Sequence, residues 1–474
     1  MSSPTVRTRF APSPTGPLHV GGARSALFNY LFARKHGGKY VLRIEDTDLE
    51  RSDPEYEIDI FESFRWLGIH ADESPEENGP YGPYRQTERI GAYRPYLERL
   101  ISSGHAYYCP HTEEELEKEK KDLMASGKNP VHICSYRDNS APADNKNGII
   151  RFKTPPGRML EFDDLIRGPI SFRSDLLGDF SIAKNFETPL YNFAVAADDH
   201  DMEISHVIRG EEHISNTPKQ MLIAEALGFT LPVFAHLPLI LGSDRTKLSK
   251  RHGAASVREF RQDGYLPEAL VNFMALLGWN PGHDREIFSL NELVEAFDIS
   301  DVQKSGAVFN REKLDWMNGE YIRKKTVDEL VPLARSFLPE FSDEKIASAL
   351  LLEQPRLAKL SELPERASYL GEDPDYETSL LRWKDMSDKE IQESLEQAQK
   401  IIEDVPENSF TPKELEHRFL EAIGAGDKGK VLWPLRVALT GKRASPGPFD
   451  IMAVLGSEAT RSRVQKALKK ISRP

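Results

Sequence analysis

The sequence predicts an α/β fold: a doubly wound parallel sheet split by an α+β insertion and followed by all-helical domains. Three observations carry that prediction. The first hundred residues alternate strand, loop, helix and strand, the order of a crossover unit in a parallel sheet. From Tyr107 the alternation gives way to a charged helix, a polar stretch and short strands. Beyond Thr326 strand signals stop, and Pro/Gly breaks separate helical runs to the end.

The elements follow in order. Thr5 to Ala11 reads as a short strand that ends in the turn-rich Pro12-Ser-Pro-Thr-Gly-Pro17. Gly22 to His36 places Ala26, Leu27, Tyr30, Leu31 and Ala33 at helical spacing. Gly37 and Gly38 stop that helix, and Lys39 to Ile44 is a second strand. Within the insertion, Glu113 to Met124 is a helix, Asp138 to Asn147 is polar, and Gly148–Lys153 and Pro169–Arg173 are strands. Helix and strand alternation returns near Tyr191–Val195 and Ile204–Arg209, with a helix at Pro218–Leu227 and an apolar strand at Val233–Leu241. From Val257 onward the chain reads as mostly helical, including Pro267–Leu277 and Lys345–Leu352. The expected boundaries are 1–106 and 189–256 for the two halves of a Rossmann-like domain, 107–188 for the insertion, 257–325 for a helical region and 326–474 for a terminal helical domain.

Composition narrows the class. A chain of 474 residues holds two to four domains at roughly 100–200 residues each. Apolar residues at 39% and charged residues at 29% fit a folded globular chain. No run approaches the roughly 18 apolar residues of a membrane span. The start, Met1-Ser-Ser-Pro-Thr-Val-Arg7, lacks the apolar core of a signal peptide, so it reads as mature sequence. Two cysteines cannot build a disulfide framework, which predicts a reducing cytoplasm. The net charge, 62 − 75 = −13, excludes a general nucleic-acid binder, because phosphate binding draws on Lys and Arg. Yet Lys442 to Arg473 carries eight basic residues against two acids, and Glu372 to Glu403 is acidic. Solvated helix faces are the ordinary reading of such runs; a selective RNA partner on one basic surface stays open.

Two segments carry chemistry. In Arg9-Phe-Ala-Pro-Ser-Pro-Thr-Gly-Pro-Leu-His-Val-Gly-Gly22 the glycines lie where a strand hands over to a helix, the place where doubly wound sheets bind ligands. Gly21 and Gly22 would let a nucleotide approach the backbone and the positive end of the next helix, and His19 can donate to phosphate oxygens. An ordinary Pro/Gly turn is the plain alternative. Lys247-Leu-Ser-Lys-Arg251 follows the last apolar strand. Two lysines three apart on a tight loop suit a triphosphate and the charge that moves onto leaving pyrophosphate.

Together and in this order, the two segments resemble the signature of class I aminoacyl-tRNA synthetases. Arg43-Ile-Glu-Asp-Thr-Asp48, Tyr191 to His200, Val207 to His213, Gly264 to Trp279 and Pro434-Leu-Arg-Val-Ala-Leu-Thr-Gly441 are similar to bacterial glutamyl-tRNA synthetases, from about residue 5 to the C-terminus. The resemblance implies ATP-dependent activation of L-glutamate and its transfer to tRNA(Glu), with Mg2+ accompanying the phosphates, in a cytoplasmic monomer. It implies that Arg9 holds the side-chain carboxylate with Ser13 and Ala11 beside it, that Arg209 adds a second positive contact and that Tyr191 lines the pocket. Glu45 would take the α-amino group, with pairing to Arg43 as the structural alternative. Gly16, His19, Gly21, Glu212, His213 and Lys250 would contact ATP; His19, Lys247 and Lys250 would serve the activating step. Arg436 would read the anticodon, unless it pairs with an acidic neighbour between helices.

Three rivals stand beside that reading. A tRNA-modifying paralogue would be shorter, a glutaminyl enzyme would end in β-barrels, and a catalytically dead derivative would not need Arg9, His19, Lys247 and Lys250 intact. One departure concerns metal. Some relatives hold zinc in the insertion through Cys-x-Cys and Cys-x-His. Here the runs are Cys109-Pro-His111 and His132-Ile-Cys134-Ser-Tyr136, so histidine replaces the second cysteine and tyrosine the last histidine. Cys109, His111, His132 and Cys134 are a possible nitrogen/sulfur set, but these departures predict a metal-free insertion.

Overall fold

The structure is a computed structural model that describes residues 5–127, 132, 134–138, 148–248, 256–282 and 284–472. Strand β1 (Arg7–Phe10) leads through helix α1 (Val20–Lys35) to β2 (Lys39–Leu42), and α2 (Pro54–Leu67) and α3 (Ile90–Ser102) follow. The insertion adds β3 (Ala106–Cys109), α4 (Glu113–Ala125), β4 (Ile149–Phe152), β5 (Met159–Asp164), β6 (Gly168–Arg173), β7 (Ser181–Asn185) and β8 (Thr188–Pro189). The chain returns through α5 (Tyr191–Asp201), β9 (His206–Gly210), α6 (Thr217–Leu227), β10 (Val233–Leu237) and β11 (Ile240–Leu241).

The main sheet has the order β2-β1-β9-β10-β5-β6. All its pairs are parallel except the edge hairpin β5–β6. The chain passes from β1 to β2 on one side and later places β9 on the other, so the strand order reverses between β1 and β9, where such sheets leave a crevice. Helix α1 is fixed over that point by one amide. Asn29 donates to the Ile208 carbonyl at 2.8 Å, and the Thr8 hydroxyl donates to the Asn29 carbonyl at 2.9 Å.

Two departures from the sequence reading have local causes. The hairpin β5–β6 lies in the stretch read as the insertion, yet it extends the main sheet through the Phe234–Asp164 pairing. The insertion's own antiparallel sheet is β3-β4-β7-β8. The strand expected over Val233–Leu241 breaks at Pro238, whose missing N–H cannot continue a ladder. Its far side, β11, pairs instead with β12 (Ala307–Val308), inside the stretch read as mostly helical.

The insertion sheet does not stand apart. Ile150, Phe152, Ile182 and Ala183 share a buried cluster with Tyr93 and Leu97 of α3, Phe193 and Ala197 of α5, and Leu222 and Ile223 of α6. The chain divides into two compact units: 1–261 with 267–314, and 262–266 with 315–474. The second unit contains helices Val327–Ala334, Asp343–Glu353, Asp388–Glu403, Pro412–Ile423, Lys428–Thr440 and Pro448–Ile471, with no strand among its described residues. Its core gathers Leu352, Ile402, Leu415, Phe419, Leu435, Ile451 and Val464.

In the first unit, β2 and α5 are pinned by charges withdrawn from water. Arg43 is wholly buried; it donates to Asp199 Oδ1 at 2.8 Å and to Glu45 Oε1 at 3.1 Å. Its Nε lies 3.6 Å from Asp198 Oδ2. Asp198 also accepts from Arg89 Nε at 2.6 Å, Gln86 Nε2 at 2.8 Å and the Tyr93 hydroxyl at 3.1 Å. Removing one member strands the other charges in a dry interior. Asp198→Ala is therefore expected to destabilise the first unit by about 3–5 kcal/mol. Urea unfolding followed through probes in each unit checks this; the transition of the second unit should not move.

Candidate active site

A cavity of about 1010 Å³ opens at the C-terminal ends of β1 and β9. Its lining includes every described residue that the sequence reading assigned to glutamate or ATP. Arg9, Ala11, Ser13 and Gly16 enter from β1 and the turn after it, His19 and Gly21 from the start of α1, and Glu45 from just beyond β2. Tyr191 opens α5, Arg209 lies in β9, Glu212 and His213 follow it, and Lys247 comes from beyond β11. Lys250 lies outside the described residues. Arg436 belongs to the other unit.

The start of α1 is built around His19. Its ring caps the helix: Nδ1 accepts from the Gly22 N–H at 3.2 Å. An accepting Nδ1 leaves Nε2 as the ring's donor in the neutral tautomer. Burial, with a further contribution from Lys247, lowers the His19 pKa against the opposing pull of Glu212. The first turn of α1 contains no acid of its own to offset the positive helix end. The glycines have a cause that the sequence reading did not identify. A Cβ on Gly21 would lie 3.0 Å from the His19 ring, and one on Gly22 would lie 3.2 Å from Leu18 and 3.4 Å from Phe10. They make room for the capping ring and the residues behind it.

Two buried guanidiniums face the same cavity. Arg9 binds Asp199 through Nε at 3.2 Å and through Nη2 at 3.3 Å. Its Nη1 makes no hydrogen bond among the described residues. Arg209 donates from Nε to His236 Nε2 at 3.3 Å and from Nη2 to Thr217 Oγ1 at 2.7 Å. Its Nη1 is buried without a partner. A buried donor left unpaired costs about 1–3 kcal/mol, and it belongs to a residue that lines the cavity. Glu45 pairs with Arg43, as the structural alternative has it, and it also lines the cavity. Burial raises its pKa, against the opposing effect of Arg43 and Arg9.

The histidines here are held neutral. Burial, reinforced by Arg209, depresses His213 to about 4, and His213 Nδ1 lies 3.0 Å from the Tyr191 hydroxyl. His236 is fully buried, with Nδ1 2.6 Å from Asp164 Oδ2. Because Arg209 donates to Nε2, the His236 proton lies on Nδ1. Asp199, His236 and Asp164 do not line the cavity but hold its two arginines, Asp164 through His236, and sequence reasoning missed them. Only Asp199 had a signal, as part of the quoted run Tyr191 to His200.

Elsewhere, the donor atoms of Cys109, His111, His132 and Cys134 come within 4.8 Å of one another. Arg436 lies on the helix Lys428–Thr440, half-buried, and its Nε is buried without a hydrogen bond. Among the described residues no acid pairs with it; burial and then Arg356 lower its pKa. The acidic partner proposed as the alternative to RNA is therefore not found there.

Residues 5–316 match the family model described as the catalytic domain of class I tRNA synthetases (E and Q), and residues 329–468 match an anticodon binding domain. The chain belongs to the class I tRNA synthetases of the E and Q type. It is 47% identical over 481 residues to the glutamate–tRNA ligase of Carboxydothermus hydrogenoformans, covering 97% of this chain and 99% of that one. It is 46% identical to the glutamate–tRNA ligase of Aquifex aeolicus, covering 98% and 99%. A crystal structure of a glutamate tRNA ligase from Elizabethkingia meningosepticum in complex with its amino acid superposes with a TM-score of 0.89 at 35% identity, covering 99% of this chain and 100% of that chain. The first unit thus corresponds in the main to the synthetase catalytic domain.

A pH dependence follows from His213. The unfolded chain takes up a proton on this histidine as pH falls through the ordinary value of 6.5, whereas the folded one resists until about 4. The stability it contributes is present above 6.5 and is lost as pH falls toward 4. His213→Gln should therefore flatten the acid side of the stability profile across that window. Imidazole NMR at about pH 5.5 should find His213 of the wild type still neutral; a protonated ring there refutes the assignment.

Proposed function

We propose that this synthetase is a glutamate–tRNA ligase, activating L-glutamate with ATP and transferring it to the 3′ end of tRNA(Glu). The observation that carries the reading is the pair of buried guanidiniums, Arg9 and Arg209, on one cavity with the capped start of α1. A side-chain carboxylate matches such donors bidentately, and the uncharged amide of glutamine would leave them uncompensated. Glutaminyl members share the catalytic family; the strand-free helices of the second unit favour the glutamyl branch.

In this reading Arg9 and Arg209 hold the γ-carboxylate, with Ser13 and Ala11 shaping the pocket floor and Glu45 facing the α-amino group. The α-carboxylate, already ionised, attacks the α-phosphorus of ATP, and pyrophosphate leaves. No protein base is required, so position and charge carry the step. Neutral His19 donates from Nε2 to phosphate beside the start of α1, with Gly16, Gly21, Glu212 and His213 around the nucleotide. Lys247 and Lys250 meet the charge on the leaving pyrophosphate. Mg2+ accompanying the phosphates would neutralise part of their charge. The terminal ribose hydroxyl of the tRNA then attacks the acyl-adenylate. No helix of the described residues is long and apolar enough to cross a membrane. We place the reaction in the cytoplasm and take the enzyme to act as a monomer.

Charging of purified tRNA(Glu) and tRNA(Gln) with glutamate and with glutamine tests the assignment: glutamate on tRNA(Glu) is expected and glutamine on either is not. Arg9→Ala should lower kcat/KM for glutamate by the equivalent of about 2–5 kcal/mol, read from steady-state charging at varied glutamate. Near wild-type efficiency would remove Arg9 from the pocket.

Arg436 is proposed to read an anticodon base, a contact worth about 1–3 kcal/mol of discrimination. Arg436→Ala should raise the Michaelis constant for tRNA(Glu), and anticodon substitutions should matter less in the variant than in the wild type. Strict additivity in the double-mutant cycle rules the contact out.

A further inference from the structure

The hairpin β5–β6 is linked to the cavity wall by a buried chain of side chains that spans β5, β10 and β9. Asp164, the last residue of β5, divides its two carboxylate oxygens between two tasks. Oδ1 accepts from the backbone N–H groups of Ile166 at 3.0 Å, Arg167 at 2.8 Å and His236 at 3.3 Å. Oδ2 lies 2.6 Å from Nδ1 of the His236 ring. The far ring nitrogen, Nε2, accepts from Arg209 Nε at 3.3 Å and lies 3.2 Å from the Thr217 hydroxyl. That hydroxyl in turn accepts from Arg209 Nη2 at 2.7 Å.

The chain has one polarity. A carboxylate only accepts and a guanidinium N–H only donates, so both ends place the single ring proton on Nδ1. The charge of Asp164 is thus presented to Arg209 through a neutral imidazole, whose tautomer and orientation the carboxylate fixes. Joining the strands does not require this. Oδ1 already closes the backbone contact, beside the Leu165 N–H, which donates to the Phe234 carbonyl at 2.9 Å. What Oδ2 and the ring add ends on Arg209, a residue of the cavity wall. Among the described residues Arg209 contacts no acid, and its Nη1 is buried without a partner. An acid placed directly against Arg209 would compete with an anionic ligand; an acid one ring away holds the guanidinium without doing so.

We propose that Asp164 and His236 are positioning residues for amino-acid recognition: they fix the plane of Arg209 so that its remaining donor, Nη1, meets the side-chain carboxylate of the substrate. This role rests on the assignment of Arg209 to that carboxylate made above. With Nε and Nη2 already held, little side-chain freedom is left for the ligand to immobilise, and binding gains by that preorganisation.

Asp164→Asn in the full-length enzyme tests the chain at its origin. The amide oxygen should stay on the three backbone N–H groups, which turns the NH2 toward the ring. His236 then has to accept at Nδ1 and carry its proton on Nε2, opposite the Arg209 Nε–H. KM for glutamate should rise about 10–100-fold, with KM for ATP and for tRNA(Glu) unchanged. Nitrogen-15 NMR of labelled histidine should show the His236 proton moving from Nδ1 to Nε2. An unchanged KM for glutamate, or comparable rises for all three substrates, overturns the role. In an Arg209→Lys background, which lacks the Nε donor, Asp164→Asn should add nothing to KM for glutamate. Full additivity there means that Asp164 acts on the fold and not through Arg209. Should Asp164→Asn not fold, the wild-type ring decides: a proton on Nε2 overturns the chain. So does the order of two further variants. His236→Gln can offer an oxygen in place of Nε2 and should bind glutamate better than His236→Asn, which reaches only the Asp164 side; the reverse order refutes the role. A wild type that does not charge tRNA(Glu) with glutamate removes the substrate and this role together. A charging wild type whose Asp164→Asn variant keeps its KM removes the role alone.

Discussion

A guanidinium with no exposure to water has to find its counter-charges inside the fold, and Arg43 sets this requirement for the catalytic unit. Two adjacent acids of α5 answer it: Asp199 at 2.8 Å from Nη1 and Asp198 at 3.6 Å from Nε. Each is shared with another arginine, Asp199 with Arg9 of β1 and Asp198 with Arg89. The register of α5 against β1 and β2 is thereby fixed. Burial works against ionisation of both acids, but with different results. Arg9 and Arg43 outweigh it at Asp199, whose pKa falls, while burial prevails at Asp198, whose pKa rises. The acid with the lowered pKa is the one that holds Arg9, a residue of the cavity wall.

That lattice explains how two guanidiniums can line one cavity. Arg9 and Arg209 both sit in a low-dielectric wall, where unpaired charge is costly. Arg9 is compensated on its Nε edge, which leaves Nη1 toward the cavity. Among the described residues Arg209 has no acid in contact; it rests on a neutral histidine and a hydroxyl, and burial lowers its pKa. Of the two, Arg209 is the less compensated within the fold.

Much of this was legible in the sequence, for physical reasons. Helical spacing and the Gly37-Gly38 stop located α1 to within two residues at its start, and the strand-to-helix handover located the site. Motif order brought in Arg9, Glu45, Tyr191 and Arg209, all of which line one cavity. What the sequence could not carry was pairing at a distance. No local pattern says that residue 164 meets residue 234, so the hairpin β5–β6 was assigned to the insertion. Nor does spacing reveal that the donor atoms of Cys109, His111, His132 and Cys134 come within 4.8 Å of one another, because such clusters close in space rather than along the chain.

The hairpin matters for the chemistry as well as for the boundary. Asp164, at the end of β5, accepts from His236 of β10, and His236 in turn accepts from Arg209 of β9. The relay crosses three adjacent parallel strands. With the His236 proton committed to Asp164, Nε2 is an obligatory acceptor, so Arg209 must present its Nε edge inward. Thr217 takes Nη2. Only Nη1 is then left without a hydrogen bond among the described residues. The direction of one donor on the cavity wall is thus set by a carboxylate two strands away, in a segment that the linear sequence places in a different domain.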